Sequence, residues 1–600
     1  MALTPPRQDG IEPALRQALT HHQAGRMDQA QALLRRILKR TPSHARANHL
    51  MGAIQFHKGN AEQALYYFDR AIATNPTSAV SHQARGNMLQ LLDRLDEAAQ
   101  AQRRALDIDP TSYLAHNSLG LVLMKLSDYD GAEASFRRAM AVGPNKPEAV
   151  GNLGLVMLNS GRANEAAQVL EKATRAHRDH PGLHHQYVCV LSYATNVTPE
   201  QALDAHRQYG QILQRLSPTP TRDFPNAPDP DRRLRVGYVS GDFRLHSVAY
   251  FMDAPIRLHD REAFEVCCYS TTHYPDAITE RFREMADLWR DYQRLDDEGL
   301  IEQILADRID ILVDLSGHSS GNRLGVMHAR PAPVQATYCG YVHSTGLAAV
   351  DYRIVDNLTD PDDEPDQAVE TLVRLPRCFL CYTPGGYAPE PVPPPCLAAG
   401  RVTFGSFNNL QKIHEETIQL WSRIVHDVPG SRLLIKNTAL SDKSLAERYR
   451  QRFASAGLTG DSLELMGRVE STAEHLSLYN RVDIALDTHP YHGTTTTCEA
   501  MWMGVPVVTL RGVVHAGRVG VSLLTQVGLD DLIASTPDEY ARIAGDLARD
   551  PERLARIRGG LRETMRTSPL CDGPGFVREL EQAYRSMWRT WCDQHPGSPS

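Results

Sequence analysis

The sequence predicts two architectures in one chain: an α-helical tetratricopeptide repeat solenoid, followed by an α/β part made of two Rossmann-like domains in tandem. Three observations carry that reading. Prolines at Pro42, Pro76, Pro110 and Pro144 stand 34 residues apart, alanines at Ala30, Ala64, Ala98, Ala132 and Ala166 repeat with the same step, and Gly52, Gly86, Gly120 and Gly154 keep it too. The stretch SPTPTRDFPNAPDPDRR, residues 217–233, carries five prolines and forbids a regular helix. Beyond it the pattern changes to short apolar runs alternating with helix-length segments, as parallel, doubly wound sheets require.

The repeat region, residues 11–216, holds five full units to about Arg178 and a weaker sixth whose alanine, Ala202, falls two residues out of phase. Each unit reads as a helix hairpin that cannot bury its apolar face alone. Stacked units share a core and wind into a groove suited to extended partners. After the linker, LRVGYVSGDF, FEVCCYST, IDILVDLSG, VQATYCGY and DYRIVDN read as buried strands of a domain spanning 234–382. A proline-rich linker at 383–400 closes it. The alternation resumes over 401–592 with VTFGSFN, SRLLIKN, LELMGRV, VDIALDT and VPVVTL, and GFVRELEQAYRSMWRTW ends the chain as an amphipathic helix able to pack back across the pair. Ligands of such sheets bind at the carboxyl ends of the strands, which makes the cleft between the two domains the expected site.

Composition narrows the function. A net charge of −8 leaves no basic footprint for nucleic acid. MALTPPRQDG at the N-terminus has no apolar core of signal-peptide length, and no run approaches a membrane span, which predicts a cytoplasmic protein without a membrane partner. Ten cysteines are scattered; Cys378 and Cys381 in RCFLCY have CxxC spacing without a second pair, and their apolar, strand-like setting predicts buried free thiols. No GxGxxG follows a strand and no GxxxxGK[ST] occurs. Asp229/Asp231 and Asp360/Asp362 have the DxD spacing of metal-dependent sugar transferases but sit in proline-rich loops, and are read as solvated carboxylates; no metal is expected.

The segment richest in chemistry is DIALDTHPYHGTTTTCEAMWMGVPVVTL, residues 483–510. A strand ends at Asp487. Gly493 then allows close backbone approach, and Thr494, Thr495 and Thr496 combine hydroxyls with the unpaired N–H groups of a helix N-terminus, an anion cradle suited to a diphosphate. Glu499, a turn into the helix, is placed to accept hydrogen bonds from ribose hydroxyls. In VTFGSFNNLQKIHEE, Asn409 and Lys412 follow the first strand of the same domain, where a lysine neutralises charge on a departing diphosphate. In the first α/β domain, Asp242 and His246 lie just past the first strand, and the histidine suits a general base or an acceptor-holding group. Gly317, His318, Gly340 and Gly346 fall at later strand ends and are expected to line the same cleft.

Tetratricopeptide repeats followed by RVGYVSGDFRLH, RPAPVQATYCGY, FGSFNNLQKI, DTHPYHGTTTTCEAMWMGVPVVTL and GRVGVSLLTQVGLDDLIA resemble the O-linked N-acetylglucosamine transferase and Spindly family, over nearly the whole chain. The resemblance implies a GT-B fold and an inverting, metal-independent transfer of N-acetylglucosamine from UDP-N-acetylglucosamine to Ser/Thr hydroxyls of proteins. No cofactor is implied beyond the nucleotide-sugar donor. By position it assigns His246 to the base or acceptor contact, Lys412 to the β-phosphate, Thr495 and Thr496 to the phosphates, Glu499 to the ribose and His475 to a place beside the nucleotide. Asn409 stands where animal transferases have glutamine, Thr494 where they have histidine, and Thr472 where they have a lysine near the base. Gly340 completes the nucleotide-sugar set. The linker at 383–400 takes the place of the long domain inserted in animals, so the chain resembles the compact bacterial form. Of the groove-lining asparagines of the family only Asn152 remains, with Ser118, Ala84 and Leu50 at equivalent positions. Protein or peptide acceptors bound along the repeat groove are the implied partners. Two other readings stand beside this one: transfer of fucose from GDP-fucose, as in Spindly-type members, and a repeat-based adaptor that binds nucleotide without turnover.

Overall fold

The computed structural model describes residues 11–220, 222–292 and 296–595. The N-terminal decapeptide searched for a targeting signal lies outside them. The chain divides after Met157 into two compact units.

The first unit is built of helix hairpins: Ile11–Gln23 with Met27–Arg40, Ala45–His57 with Ala61–Thr74, Ala79–Leu91 with Leu95–Ile108, Tyr113–Lys125 with Tyr129–Val142, and the start of Pro147–Asn159. The 34-residue period has a direct packing cause. Ala30, Ala64, Ala98 and Ala132 are fully buried, and the glycines let the two helices of a hairpin touch. A Cβ at Gly52 would stand 2.8 Å from the Phe68 ring, and one at Gly120 2.6 Å from Phe136. Each periodic proline comes two residues after the second helix of its hairpin, where no further helical N–H is needed. Asn152, the remaining groove asparagine, donates to Asn117 Oδ1 at 3.0 Å.

The second unit opens with Ala163–Ala176 and the irregular sixth repeat, Pro181–Leu191 and Pro199–Leu216. That last helix lies against the first α/β domain through a reciprocal glycine contact. A Cβ at Gly210 would meet the Gly346 carbonyl at 1.9 Å, and one at Gly346, where φ is +74°, would meet the His206 carbonyl at 2.0 Å. Only glycine fits either position.

The first sheet has seven parallel strands, β1 (Leu234–Ser240), β2 (Phe264–Ser270), β3 (Leu288–Asp291), β4 (Ile311–Asp314), β5 (Val334–Thr337), β6 (Tyr352–Asp356) and β7 (Thr371–Leu375), in the order 3-2-1-4-5-6-7. The second has six, β8 (Thr403–Ser406), β9 (Arg432–Lys436), β10 (Leu463–Met466), β11 (Ile484–Leu486), β12 (Val507–Leu510) and β13 (Ile533–Ala534), in the order 10-9-8-11-12-13. Both orders reverse beside their first strand, between β1 and β4 and between β8 and β11, which is where a doubly wound sheet opens a crevice. The C-terminal helix Gly573–Gln594 crosses back to the first α/β domain: the Tyr584 and Tyr238 hydroxyls are 3.2 Å apart, Glu581 bonds His259 at 3.0 Å, and Trp588 donates to the Asp229 carbonyl.

Two expectations are corrected. RCFLCY is not a strand; β7 ends at Leu375, and Cys378 and Cys381 are buried in the irregular run after it, as free thiols. Asp360 is not a solvated loop carboxylate. It is buried, with Oδ2 2.6 Å from His515 Nδ1 and Oδ1 3.6 Å from Arg353, and so ties the first α/β domain to the second.

Candidate functional site

The crevice of the second sheet is organised by Asp487, one residue past β11. Its carboxylate accepts from the N–H groups of Thr488 at 2.9 Å and Gly493 at 2.7 Å, and from the Thr509 hydroxyl on β12 at 2.8 Å. These bonds draw the loop 488–493 back over the strand ends. Gly493 is obligatory there, because a Cβ would stand 2.4 Å from Thr496 Oγ1 and 2.8 Å from Asn408 Oδ1.

The loop ends at Thr494, and the helix Thr495–Trp502 begins with its N-terminus at the crevice. Thr494 makes no side-chain cap bond, so the first N–H groups remain unpaired by it. Thr496 donates to Asn408 Oδ1 at 2.9 Å, and Thr497 turns back to the Gly493 carbonyl at 3.0 Å. Thr495 Oγ1 is buried without a hydrogen-bond partner. An orphan hydroxyl beside a helix N-terminus fits a site completed by an anion.

Lys412 closes the arrangement from the β8 side, at the end of the short 3₁₀ turn Leu410–Lys412. It is buried. Its Nζ donates to the His492 carbonyl at 2.6 Å and lies 3.7 Å from the centre of the Tyr491 ring. An ammonium has three donors, and here one backbone acceptor and one aromatic face stand in for a carboxylate partner. Burial pushes the Lys412 ammonium down to about 8, against the pull of Asp487. Its fixed neighbours are themselves anchored: His492 bonds the Leu510 carbonyl and accepts from Gly520 N–H, and Tyr491 packs on Tyr193, ring centres 5.0 Å apart.

At the far side of the crevice, His475 on the helix Thr472–Ser477 bridges two charged groups. Its Nε2 is 3.1 Å from Glu499 Oε2, and its Nδ1 is 2.8 Å from the ammonium of Lys436, the last residue of β9. Phe407 and Tyr479 form an aromatic wall, with ring centres 4.3 Å apart. Asn409 is exposed at the rim and accepts from Asn437 at 3.4 Å. The structure therefore gathers Asn409, Lys412, His475, Gly493, Thr494, Thr495, Thr496 and Glu499 around β8, β9 and β11. It adds Asp487, Asn408, Tyr491 and Lys436, which the sequence reading did not assign. The signal that marks Asp487 is its place, the carboxylate at the end of the strand before a glycine loop.

His246 and Gly340 belong to the first sheet. His246 precedes the helix Ser247–Leu258, and its Nδ1 is 3.4 Å from Val248 N–H and 3.5 Å from Asp242 Oδ2. Burial, only partly offset by Asp242, holds the imidazole below its ordinary value, so it is neutral at pH 7. One turn on, Tyr250 is held above the ordinary phenol value by burial, then by Tyr387, and also by the field of Glu499. Gly340 lets the loop after β5 press on the end of β4: a Cβ would sit 1.9 Å from the Leu315 carbonyl. His318 and Gly346 do not line an opening; His318 is buried against His185, His206 and Tyr341 beneath the sixth repeat.

The model of glycosyl transferase family 41 matches residues 192–383 and 396–580, and tetratricopeptide repeat models match 15–79, 79–112 and 123–185. The chain is 45% identical over 406 residues to an Arabidopsis thaliana protein named probable UDP-N-acetylglucosamine–peptide N-acetylglucosaminyltransferase SPINDLY, covering 67% of this chain and 44% of that protein. The corresponding SEC protein of the same plant is 30% identical over 372 residues, covering 60% and 38%. The chain spans less than half the length of these curated relatives. Among solved structures, an O-GlcNAc transferase of Thermobaculum terrenum, a lysine-to-methionine mutant, superposes with a TM-score of 0.79 at 38% identity, covering 86% of this chain and 98% of that one.

Proposed function

This chain belongs to glycosyl transferase family 41, and we propose that it transfers N-acetylglucosamine from UDP-N-acetylglucosamine to Ser or Thr hydroxyls of proteins. The observation that carries the proposal is the buried Lys412 ammonium bonded to the His492 carbonyl of the loop that leads, at a sheet reversal, into a helix N-terminus with the orphan Thr495 hydroxyl. That is a preformed receptor for a diphosphate. The names of the relatives and of the superposed structure supply the sugar and the acceptor class.

In the proposed reaction the acceptor oxygen attacks the anomeric carbon as the bond from that carbon to the diphosphate oxygen breaks, with inversion. The charge leaving on the diphosphate is met by Lys412, by the N–H groups at Thr495–Thr497 and by the Thr495 hydroxyl, with the Thr496 hydroxyl turning from Asn408 Oδ1 to join them, an electrostatic role that the chain's own groups fill without a metal. Thr494 and Gly493 shape the loop, Asn409 approaches from the rim, and Glu499 with His475 takes the nucleoside. The neutral His246 accepts the proton of the attacking hydroxyl or holds that hydroxyl in line. Gly340 contributes by positioning the loop after β5. Acceptor proteins bind along the repeat groove.

The domain limits 11–216, 217–233, 234–382, 383–400 and 401–592 belong to this proposal, as does a cytoplasmic location, which the ten free cysteines support. Among the described residues no helix is long and apolar enough to cross a membrane.

GDP-fucose remains the second donor to test, because Lys436 and His475 give the nucleoside end a cationic and imidazole lining and Thr472 replaces the lysine of animal transferases. The test offers UDP-N-acetylglucosamine and GDP-fucose separately, in EDTA, with a mixture of cytosolic proteins, and locates the sugar by mass spectrometry. Ser/Thr-linked N-acetylglucosamine from the first donor is expected. Fucose alone would exchange the donor, and no transfer from either would leave the adaptor reading.

A further inference from the structure

Lys436 has so far only been placed in the lining of the nucleoside end, yet it is one of two buried lysines among the described residues. It ends β9, beside β8 and one strand from the reversal of the second sheet, and is 8% exposed. Its Nζ makes one hydrogen bond, of 2.8 Å, to His475 Nδ1. An ammonium has donors only, so Nδ1 of the imidazole accepts. A neutral imidazole that accepts at Nδ1 carries its proton at Nε2, and Nε2 is 3.1 Å from Glu499 Oε2. The Tyr479 hydroxyl reaches the same oxygen at 3.5 Å. Glu499 Oε1, by contrast, takes no hydrogen bond among the described residues. Phe407, whose ring centre is 5.6 Å from that of His475, keeps the imidazole from swinging away.

We propose that Lys436 is a positioning residue for the nucleoside. By occupying Nδ1 it fixes the His475 tautomer, commits the Nε2 proton to one Glu499 oxygen, and leaves the other oxygen aimed at the vicinal hydroxyls of a ribose. Without Lys436, His475 is free to carry its proton on Nδ1, and an Nε2 lone pair then faces the carboxylate and turns it out of place. The inference rests on the donor-site reading above, and it assigns ribose recognition to a relay of three side chains drawn from β9 and two helices.

The test has two readouts. In the first, calorimetry compares whichever of UDP and GDP binds tighter with its 2′,3′-dideoxy analogue, on the full chain and on Lys436→Met. The wild type is expected to prefer the ribose form by about tenfold, the worth of a charge-assisted hydrogen bond. In Lys436→Met that preference collapses while the dideoxy form binds as before. Equal weakening of both forms overturns the proposal. In the second readout, the full chain is labelled with ¹⁵N-histidine and His475 assigned by its loss in His475→Gln. The wild type should show Nδ1 unprotonated and Nε2 protonated, and Lys436→Met a mixture. A wild-type His475 protonated at Nδ1 overturns the proposal whether or not Lys436→Met folds. If neither diphosphate binds, the proposal falls together with the donor-site reading, whereas an unchanged ribose preference in Lys436→Met sinks the proposal alone.

Discussion

Asp314 at the end of β4 accepts from Gly317 N–H at 2.8 Å and from the Thr337 hydroxyl of β5 at 2.9 Å. Asp487 past β11 accepts from Gly493 N–H at 2.7 Å and from the Thr509 hydroxyl of β12 at 2.8 Å. The two α/β domains thus brace the same loop with the same three groups, a carboxylate, a glycine N–H and a threonine on the next strand. Beyond the brace the domains part ways. In the first domain Gly317 is packed on Tyr341, where a Cβ would come within 2.3 Å, and His318 is sealed under the sixth repeat. In the second the chain runs straight into the N-terminus of Thr495–Trp502, from the loop whose His492 carbonyl Lys412 holds. Topology sets where a crevice forms; the residues after the brace decide whether it holds a ligand.

That contrast is exposed to several experiments. The largest effect is expected from Lys412→Ala, which removes the cation of the open crevice: transfer should fall by about 10²–10³-fold with the helical circular dichroism unchanged. Next, His246→Ala, at the first strand of the sealed domain, should lower turnover by about 10²-fold while nucleotide affinity by calorimetry stays as in the wild type. Loss of nucleotide affinity there would blur the division of labour between the domains. Third, Lys412 is charged below about 8 and neutral above it, so kcat/KM for the donor should decline as pH rises through that value, by about tenfold between about pH 7 and pH 9. A profile flat over that range would remove the lysine from the binding step. The smallest and most discriminating pair is Asp314→Asn and Asp487→Asn. Each weakens a buried bond set worth about 1–3 kcal/mol, read as a lower Tm, but only Asp487→Asn should also weaken nucleotide binding.

Much of this was legible in the chain, and the exceptions share a cause. The repeats announced themselves because Ala64 and Gly52 recur wherever two helices must touch, and the long apolar strands because nothing else packs as VGYVS or RLLIK does. The edge strands β3, β7 and β13 escaped, since LWRD and TLVRL carry charge and Ile533–Ala534 is two residues long. Lys412 and Thr495 could be placed at a crevice from their position after strands. The Tyr491 face that holds Lys412 could not, nor could Asn408 beneath Thr496 or Lys436 behind His475, because those contacts join loops far apart in sequence and leave no period. Asp360 was misread for the same reason: its proline-rich setting looks solvated, and its partner His515 lies 155 residues away.

The central claim is that the crevice between β8 and β11 receives a nucleoside diphosphate through Lys412 and the helix N-terminus at Thr495. The most direct measurement is titration calorimetry of UDP and GDP, in EDTA, into the full chain and into Lys412→Ala. Metal-free binding of at least one diphosphate to the wild type is expected, with a loss of at least about tenfold in the variant. Equal affinity of the two proteins, or no binding to either, would contradict it.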